Sequence, residues 1–246
     1  MSKFLFLSLL IFCAPLFAEE KNNAVIPVPK LERDFYDWYK RHENVKNQIK
    51  KGPVDLVFIG DSITHMFGGL PKSEKPFGEE VWQKYYAQRK AVNMGFGWDR
   101  TQNVLWRLEN GEFEGLSPKV VVLLIGTNNL TGTKNARTNS PEEIVAGIQK
   151  VYQLIHKKSS KTKILVLGVL PRSPQKFIEP IRKINSLLKE KATEDYVTLL
   201  DMTEQFAEES GLPKKDLMRD SVHPSVNGYK VWAATMEPVL KKLLEE

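Results

Sequence analysis

The chain has 246 residues, of which 41% are hydrophobic and 27% are charged, and its formal net charge is +6 at pH 7. This length and composition suit one globular domain with a sizeable core. Lysine and arginine are spread along the chain and no nucleic-acid-binding module is recognisable, so the composition argues against a nucleic-acid partner.

The first residues are typical of a secretory signal peptide. A short basic start precedes an apolar run over residues 4–17, and Ala18 is a small residue at a suitable cleavage point. We therefore expect a signal peptide over 1–18, a secreted or periplasmic protein, and no stable membrane span after its removal. An uncleaved anchor is the alternative, although the run is shorter than the ~20 residues that span a bilayer. The only cysteine, Cys13, lies here, so the mature chain would lack thiol chemistry.

Residues 19–30 contain asparagines and prolines, which predicts an exposed lead-in to a single domain over 31–246. Apolar residues recur at roughly helical spacing over 31–51, which predicts an amphipathic helix that covers a sheet. His42 lies on the polar face of this helix, so we expect it to be solvated.

The first predicted strand ends in the motif Gly60-Asp61-Ser62. The apolar, β-branched run over 54–59 is typical of a strand buried on both faces. Gly60 permits a sharp turn because it has no Cβ. Ser62 then follows the carboxyl end of a strand, where open α/β sheets bind ligands. Ser62 is therefore the candidate nucleophile, and its backbone N–H is a candidate oxyanion donor.

Two further predicted strands also end in polar turns. The strand over 90–94 is followed by a turn over 95–98 and by Asp99, which we expect to cap the next helix. The strand over 119–125 is followed closely by Asn128, whose carboxamide N–H suits an oxyanion. The backbone N–H groups of the 95–98 turn are further candidate donors.

The rest of the chain alternates helices with strands, which implies a parallel sheet with helices on both faces. We predict strands over 163–169 and 197–200, and helices over 63–67, 78–87, 100–109, 140–158, 175–192 and 225–246.

A loop before the last helix carries Asp220 and His223. Asp220 can reach Nδ1 of this imidazole while Nε2 points at a serine, as a catalytic triad requires. Asp201 is the competing acid, although we interpret it as a helix cap. His65 is so close to Ser62 in sequence that in-line geometry is difficult, so we expect it to pack at the rim. No metal, P-loop or calcium-loop pattern occurs, so no cofactor is predicted.

These residues resemble the sequence blocks of the GDSL or SGNH hydrolases, through Gly60-Asp61-Ser62, Gly126-Thr127-Asn128-Asn129 and Asp220-x-x-His223. Within that family, the runs over 103–112 and 166–172 resemble the catalytic subunits of platelet-activating factor acetylhydrolase type Ib. The resemblance implies a three-layer α/β/α, flavodoxin-like SGNH hydrolase fold around a five-stranded parallel sheet. It implies a triad of Ser62, Asp220 and His223, with Asn128 and two backbone N–H groups in the oxyanion hole.

The second block departs from the family pattern, because Trp98 occupies the position of a glycine whose N–H binds the oxyanion. Trp98 can supply that N–H if its backbone angles permit, whereas Gly97 would donate if the turn is shifted. The indole would line the substrate pocket together with Asp61, where it would narrow the pocket or stack on a sugar.

The sequence thus predicts a secreted serine esterase that hydrolyses short-chain acetyl esters through an acyl-enzyme, with an O-acetylated glycan as the expected substrate. One alternative is an acetylhydrolase or lysophospholipase that acts on a phospholipid-like ester. Another is a non-catalytic binding protein with the same fold. The acetylhydrolase relatives form dimers, so a homodimer is an alternative to a monomer.

Overall fold

The structure is a computed structural model that describes residues 21–245. Its five strands form one parallel sheet in the order β2-β1-β3-β4-β5, which is the flavodoxin-like order. The strands are β1 (Leu56–Gly60), β2 (Ala91–Gly95), β3 (Val120–Leu124), β4 (Lys163–Leu167) and β5 (Val197–Leu200). The predicted five-stranded parallel sheet is therefore confirmed. The predicted signal peptide lies outside the described residues.

Helices cover both faces of the sheet, which gives three layers. They are α1 (Trp38–Ile49), α2 (Ser62–His65), α3 (Glu79–Tyr85), α4 (Thr101–Arg107), α5 (Pro141–Lys158), α6 (Ile178–Lys191), α7 (Thr203–Phe206) and α8 (Val226–Leu244). Helices α1, α4, α5 and α6 pack on one face, and the other four pack on the opposite face. None of these described helices is both long and apolar enough to cross a bilayer.

Strand β1 shows how the sequence builds two cores at once. Val57 and Ile59 pack on the face covered by α1, whereas Leu56 and Phe58 pack on the face covered by α8. Successive side chains of a strand point to opposite faces, so a strand between two helix layers must be apolar throughout. The polar groups that follow it consequently gather at one edge of the sheet.

The segment before α1 differs from its prediction. The helix expected over 31–51 begins only at Trp38, where the Asp37 side chain accepts the Lys40 N–H at 3.1 Å. Residues 22–37, here called the strap, run along the surface of the domain, and the expectation of an exposed lead-in was wrong. Ala24 is fully buried, and its carbonyl accepts a hydrogen bond of 2.8 Å from the Thr101 hydroxyl.

Two polar side chains near the strap are also buried, against expectation. His42 is bonded through Nδ1 to the Glu112 carboxylate at 2.8 Å and is not solvated. Asp99 does not cap α4. Its carboxylate instead accepts from Arg107 Nε and Trp38 Nε1, each at 2.7 Å. These partners come from α1 and from the end of α4, so the buried face of α1 contacts a network of charges.

Candidate active site

Ser62 lies at the carboxyl edge of the sheet, where β1 turns sharply into α2. A Cβ at Gly60 would lie 2.2 Å from the Thr64 hydroxyl and 2.4 Å from the Leu124 carbonyl, so the turn requires glycine. The Asp61 side chain accepts the Ile63 N–H at 2.9 Å and so starts the short helix. The hydroxyl of Ser62 is thereby held at the surface of a cleft.

His223 and Asp220 face this hydroxyl from the loop before α8. His223 Nε2 lies 2.9 Å from Ser62 Oγ, and Nδ1 lies 2.9 Å and 3.0 Å from the two Asp220 oxygens. The backbone N–H groups of Val222 and His223 donate to Asp220 Oδ1 at 2.9 Å and 2.8 Å. Burial alone would raise the pKa of Asp220, but these hydrogen bonds outweigh it and lower the pKa. An ionised acid therefore fixes the imidazole so that Nε2 faces the serine.

The turn after β2 presents one backbone N–H beside this pair. Asp99 N–H donates to the Phe96 carbonyl at 3.2 Å, and Trp98 has φ of 63°, which is the pattern of a type II turn. The Gly97 N–H donates to His65 Nδ1 at 3.3 Å. The Trp98 N–H donates to no atom within residues 21–245. The geometry therefore favours Trp98 over Gly97 as the donor.

His65 is a packing residue whose ring accepts a hydrogen bond. It is fully buried, and burial lowers its pKa to about 2, so the ring is neutral. The edge of Tyr36 contacts the ring at 4.6 Å between centroids. Because its Nδ1 is occupied by the Gly97 N–H, His65 supports the turn and is not a base for Ser62.

Asn128 lies in the turn that follows β3. Gly126 takes φ of 124° at the start of this turn, a conformation that favours glycine. One N–H of the Asn128 carboxamide donates to the Asp99 carbonyl at 2.9 Å. This bond orients the side chain, and the second N–H of the same amide is left for a ligand. Asn128 and Trp98 are thus coupled through Asp99.

These groups line a cleft of about 200 Å³, here called the Ser62 cleft. Its lining consists of Asp34, Phe35, Ser62, Met66, Lys75, Trp98, Asn128, Arg172, Arg219, Val222 and His223. Trp98 is 39% exposed, so its indole forms an open wall. A larger depression of about 310 Å³ lies beside α6 and α7, and none of the triad residues lines it.

Asp61 does not line the Ser62 cleft, so its predicted place in the substrate pocket was wrong. The side chain is 1% exposed, and Oδ1 is turned back to the Ile63 N–H. Burial raises the pKa of Asp61 to about 7. The residue shapes the turn that carries Ser62.

Sequence reasoning missed seven of the residues that line the Ser62 cleft. Met66 and Val222 lie close in sequence to the predicted Ser62 and His223, which leaves five others. Asp34 and Phe35 lie on the strap. Lys75 and Arg219 lie in loops whose sequence has no helical or strand periodicity. Arg172 could have been found, because it follows the carboxyl end of β4 as Ser62 follows β1. The other four carry no local signal, since only the path of the chain brings them to the cleft.

The sequence matches the model of the GDSL-like lipase/acylhydrolase family over residues 58–231. It is 33% identical over 231 residues to the platelet-activating factor acetylhydrolase IB subunit alpha2 of Homo sapiens, across 92% of this chain and 94% of that protein.

Solved structures share the fold at lower identity. A GDSL-like lipase of Bacteroides thetaiotaomicron has a TM-score of 0.62 and 19% identity, across 83% of this chain and 97% of that one. A carbohydrate esterase family 3 protein of Talaromyces cellulolyticus has a TM-score of 0.54 and 17% identity, across 78% of this chain and 98% of that one.

Proposed function

We propose that this chain, which belongs to the GDSL-like lipase/acylhydrolase family and is a carboxylic ester hydrolase, removes acetyl groups from the hydroxyls of a glycan outside the cytoplasm. The observation that carries the chemistry is the contact of 2.9 Å between His223 Nε2 and Ser62 Oγ. An acid fixed on the far side of the imidazole completes the triad.

In the first half of the reaction, Ser62 Oγ attacks the ester carbonyl while His223 Nε2 takes its proton. The carboxylate of Asp220 keeps the other proton on Nδ1 and stabilises the imidazolium. His223 then gives its proton to the leaving alcohol, and the acyl group remains on Ser62. In the second half, a water molecule attacks this acyl-enzyme with His223 again as the base, and the free acid leaves.

Three hydrogen-bond donors would bind the oxyanion in both halves of the reaction. They are the backbone N–H of Ser62, the backbone N–H of Trp98 and the free N–H of the Asn128 carboxamide. A fixed donor acts most strongly when it needs no reorganisation, and the removal of one such donor costs about 100-fold or more in kcat. The bond from Asn128 to the Asp99 carbonyl supplies that fixed orientation.

The preference for acetyl groups rests on the size of the Ser62 cleft. Its volume of about 200 Å³ must hold both the acyl group and part of the alcohol. The exposed indole of Trp98 favours a glycan as that alcohol, because aromatic faces stack on sugars. Export to the periplasm or the medium is proposed from the N-terminal sequence. Cleavage after Ala18, read by mass spectrometry of the protein from its native cells, would support it.

A second candidate is an acetylhydrolase that acts on a phospholipid-like ester. The identity of 33% to the platelet-activating factor acetylhydrolase subunit favours it. Acetate release should be compared between acetylated xylan and a short-chain phospholipid ester, each supplied to the same enzyme preparation. Faster release from the lipid would make this candidate the better one. The relatives' resemblance also raises the question of a homodimer, and light scattering would measure the mass of the protein in solution.

Replacement Ser62→Ala tests the mechanism. We expect the variant to keep the circular dichroism spectrum of the parent and to lose p-nitrophenyl acetate hydrolysis. Labelling of the parent by a fluorophosphonate probe, absent in the variant, separates an enzyme from a non-catalytic binding protein. Near-normal turnover in the variant would contradict the assignment of Ser62 as nucleophile.

A further inference from the structure

The Ser62 cleft carries an excess of positive charge. Lys75, Arg172 and Arg219 line it, whereas Asp34 is the only carboxylate among its lining residues. A cleft lined by one sign of charge concentrates ligands of the opposite sign.

Aromatic rings hold all three cations in place. The Lys75 ammonium lies 4.5 Å from the centre of the Phe35 ring, and the Arg172 guanidinium lies 4.1 Å from that of Phe177. The Arg219 guanidinium lies 3.9 Å from the centre of the Phe77 ring. A ring face attracts a cation without neutralising it. The rings restrain these side chains without removing their charge, and Arg172 Nη1 also donates to the Thr127 carbonyl at 3.1 Å.

Carboxylates in this part of the molecule offset only part of that charge, since Asp34 interacts with Lys75 and Asp61 interacts with Arg172. Arg219 Nη1 lies 3.5 Å from the Asp220 carboxylate, which is already engaged by His223. Within residues 21–245, Lys75 and Arg172 form no ion pair with an acid. Asp34 lines the cleft and interacts electrostatically with Lys75 and His223, while its Oδ1 accepts the Phe35 N–H at 2.8 Å, so Arg172 and Arg219 remain as further positive charges.

We propose that the substrate of this esterase carries an anionic group, a carboxylate or a phosphate, on its alcohol portion. This inference rests on the proposed function, because an acetyl group has no ionisable atom and the charge must then belong to the alcohol. Arginine side chains bind both oxyanions with paired N–H donors. An acetylated sugar acid and an acetylated sugar phosphate fit this chemistry equally, and the experiment below distinguishes them.

The test compares matched acetate esters by acetate release. The anionic substrates are meta-acetoxybenzoate and meta-acetoxyphenyl phosphate, and the neutral reference is meta-acetoxybenzamide. Each kcat/KM is divided by the rate of hydroxide hydrolysis, which removes differences in leaving group. We expect at least one anion to exceed the amide about tenfold at low salt, and the ratio to fall as salt screens the charges. The better of the two anions identifies the charged group.

Variants locate the effect. We expect the double variant Lys75→Gln/Arg219→Gln to lower the ratio of anion to amide about fivefold, since exposed charges each contribute modestly. Lys84→Gln is the matched control, because its ammonium also lies over a ring, that of Tyr85 at 5.2 Å, but outside the cleft. The variant Arg172→Gln, assayed for the same ratio of anion to amide, tests whether Arg172 also binds the anion.

The outcomes separate the two levels of the proposal. Acetate released equally from all three esters, or a ratio that the double variant leaves unchanged, would overturn the anionic substrate and leave the esterase intact. No acetate released from any ester by the parent would overturn the proposed function itself. An unchanged ratio in Lys84→Gln together with a lower ratio in the double variant would support the inference.

Discussion

Trp98 shows how a single backbone angle connects sequence to chemistry. A residue with a Cβ pays about 1–2 kcal/mol for left-handed backbone, and Trp98 has φ of 63°. The surrounding turn enforces this angle, because the Tyr36 hydroxyl donates to the Gly97 carbonyl at 3.1 Å and the Asp99 side chain is fixed by buried donors. The angle that glycine would adopt freely is thus kept by a tryptophan.

Replacement Trp98→Gly should therefore keep the reaction and change the selectivity. We expect kcat for p-nitrophenyl acetate within a few-fold of the parent, because the backbone donor remains, and a relative gain for octanoate because the indole wall is gone. Trp98→Ala is the control, since it removes the same wall but keeps the strain, and it should be about 1 kcal/mol less stable than the glycine variant. A loss of about 100-fold in the glycine variant would mean that the indole itself is required.

The raised pKa of Asp61 predicts that the stability of the folded protein depends on pH. Its pKa is raised to about 7 by burial, from an ordinary value of 3.8. Between these two values the folded state holds a proton that the unfolded state has released. Stability attributable to this group is thus highest below about pH 4 and is lost as the pH rises through 7.

The comparison of Asp61→Asn with the parent measures this effect. The amide cannot titrate and can still accept the Ile63 N–H, so the variant should gain a few kcal/mol relative to the parent between about pH 5 and about pH 8. Urea unfolding at both pH values gives the difference, and Asp216→Asn, at an exposed position, is the control. A difference that does not change with pH would contradict the raised pKa.

Among the elements, the strap is the one whose position depends most on distant contacts. Its backbone bonds to α4 and its neighbours, since Val28 N–H donates to the Gln102 carbonyl at 3.2 Å and Asn103 Nδ2 donates to the Pro29 carbonyl at 2.8 Å. The strap then delivers Asp34 and Phe35 to the Ser62 cleft. Helix α4 therefore supports both the oxyanion turn that precedes it and the opposite wall of the cleft.

Replacement Thr101→Val should loosen the strap. It removes the donor of the 2.8 Å bond to the Ala24 carbonyl at a fully buried position, and an unsatisfied buried group costs about 1–3 kcal/mol. We expect faster hydrogen exchange at the Val28 amide and a higher KM. Thr162→Val is matched to it, because Thr162 is also fully buried and donates to the Pro118 carbonyl at 2.8 Å. Equal exchange at Val28 in the two variants would show that the Thr101 hydroxyl does not hold the strap.

Over the whole molecule, the sequence predicted what local patterns encode. The strands are apolar runs between two helix layers, so their order of appearance and the polar groups after them could be anticipated, and Ser62 and Asn128 were located in this way. His42 could not be placed, because its partner Glu112 lies 70 residues away. The strap was misjudged for the same reason, since its prolines indicate irregular backbone but not what that backbone contacts.

His42 and Asp99, whose surroundings could not be predicted, belong to one buried network on the α1 face. Arg107 is fully buried and binds the carboxylates of Asp99 and Glu112, and Glu112 in turn binds His42. The Arg107 guanidinium also lies 3.9 Å from the centre of the Phe96 ring. This network joins α1, α4 and the oxyanion turn, so global stability and the active site share the same contacts.

Replacement Arg107→Leu should therefore lower both the stability of the fold and the activity of the site. It leaves two buried carboxylates without their cation, and breaking a buried ion pair from one side costs about 3–5 kcal/mol. For a chain of this size that corresponds to a fall of roughly 6–20 °C in the midpoint of thermal unfolding. Because the Asp99 carbonyl orients Asn128, kcat should also fall at temperatures where the variant is still folded.

Arg182→Leu is the control for that loss, because its ion pair with Glu179 at 2.7 Å is exposed on α6. Exposed pairs contribute about 0–1 kcal/mol, so its midpoint should stay within a few degrees of the parent. Calorimetry on the parent and both variants, with esterase assays below each transition, makes the comparison. If Arg107→Leu unfolded at the temperature of the control and kept its turnover, the buried network would support neither the fold nor the oxyanion turn. If it lost stability but kept turnover, the network would stabilise the fold without positioning Asn128.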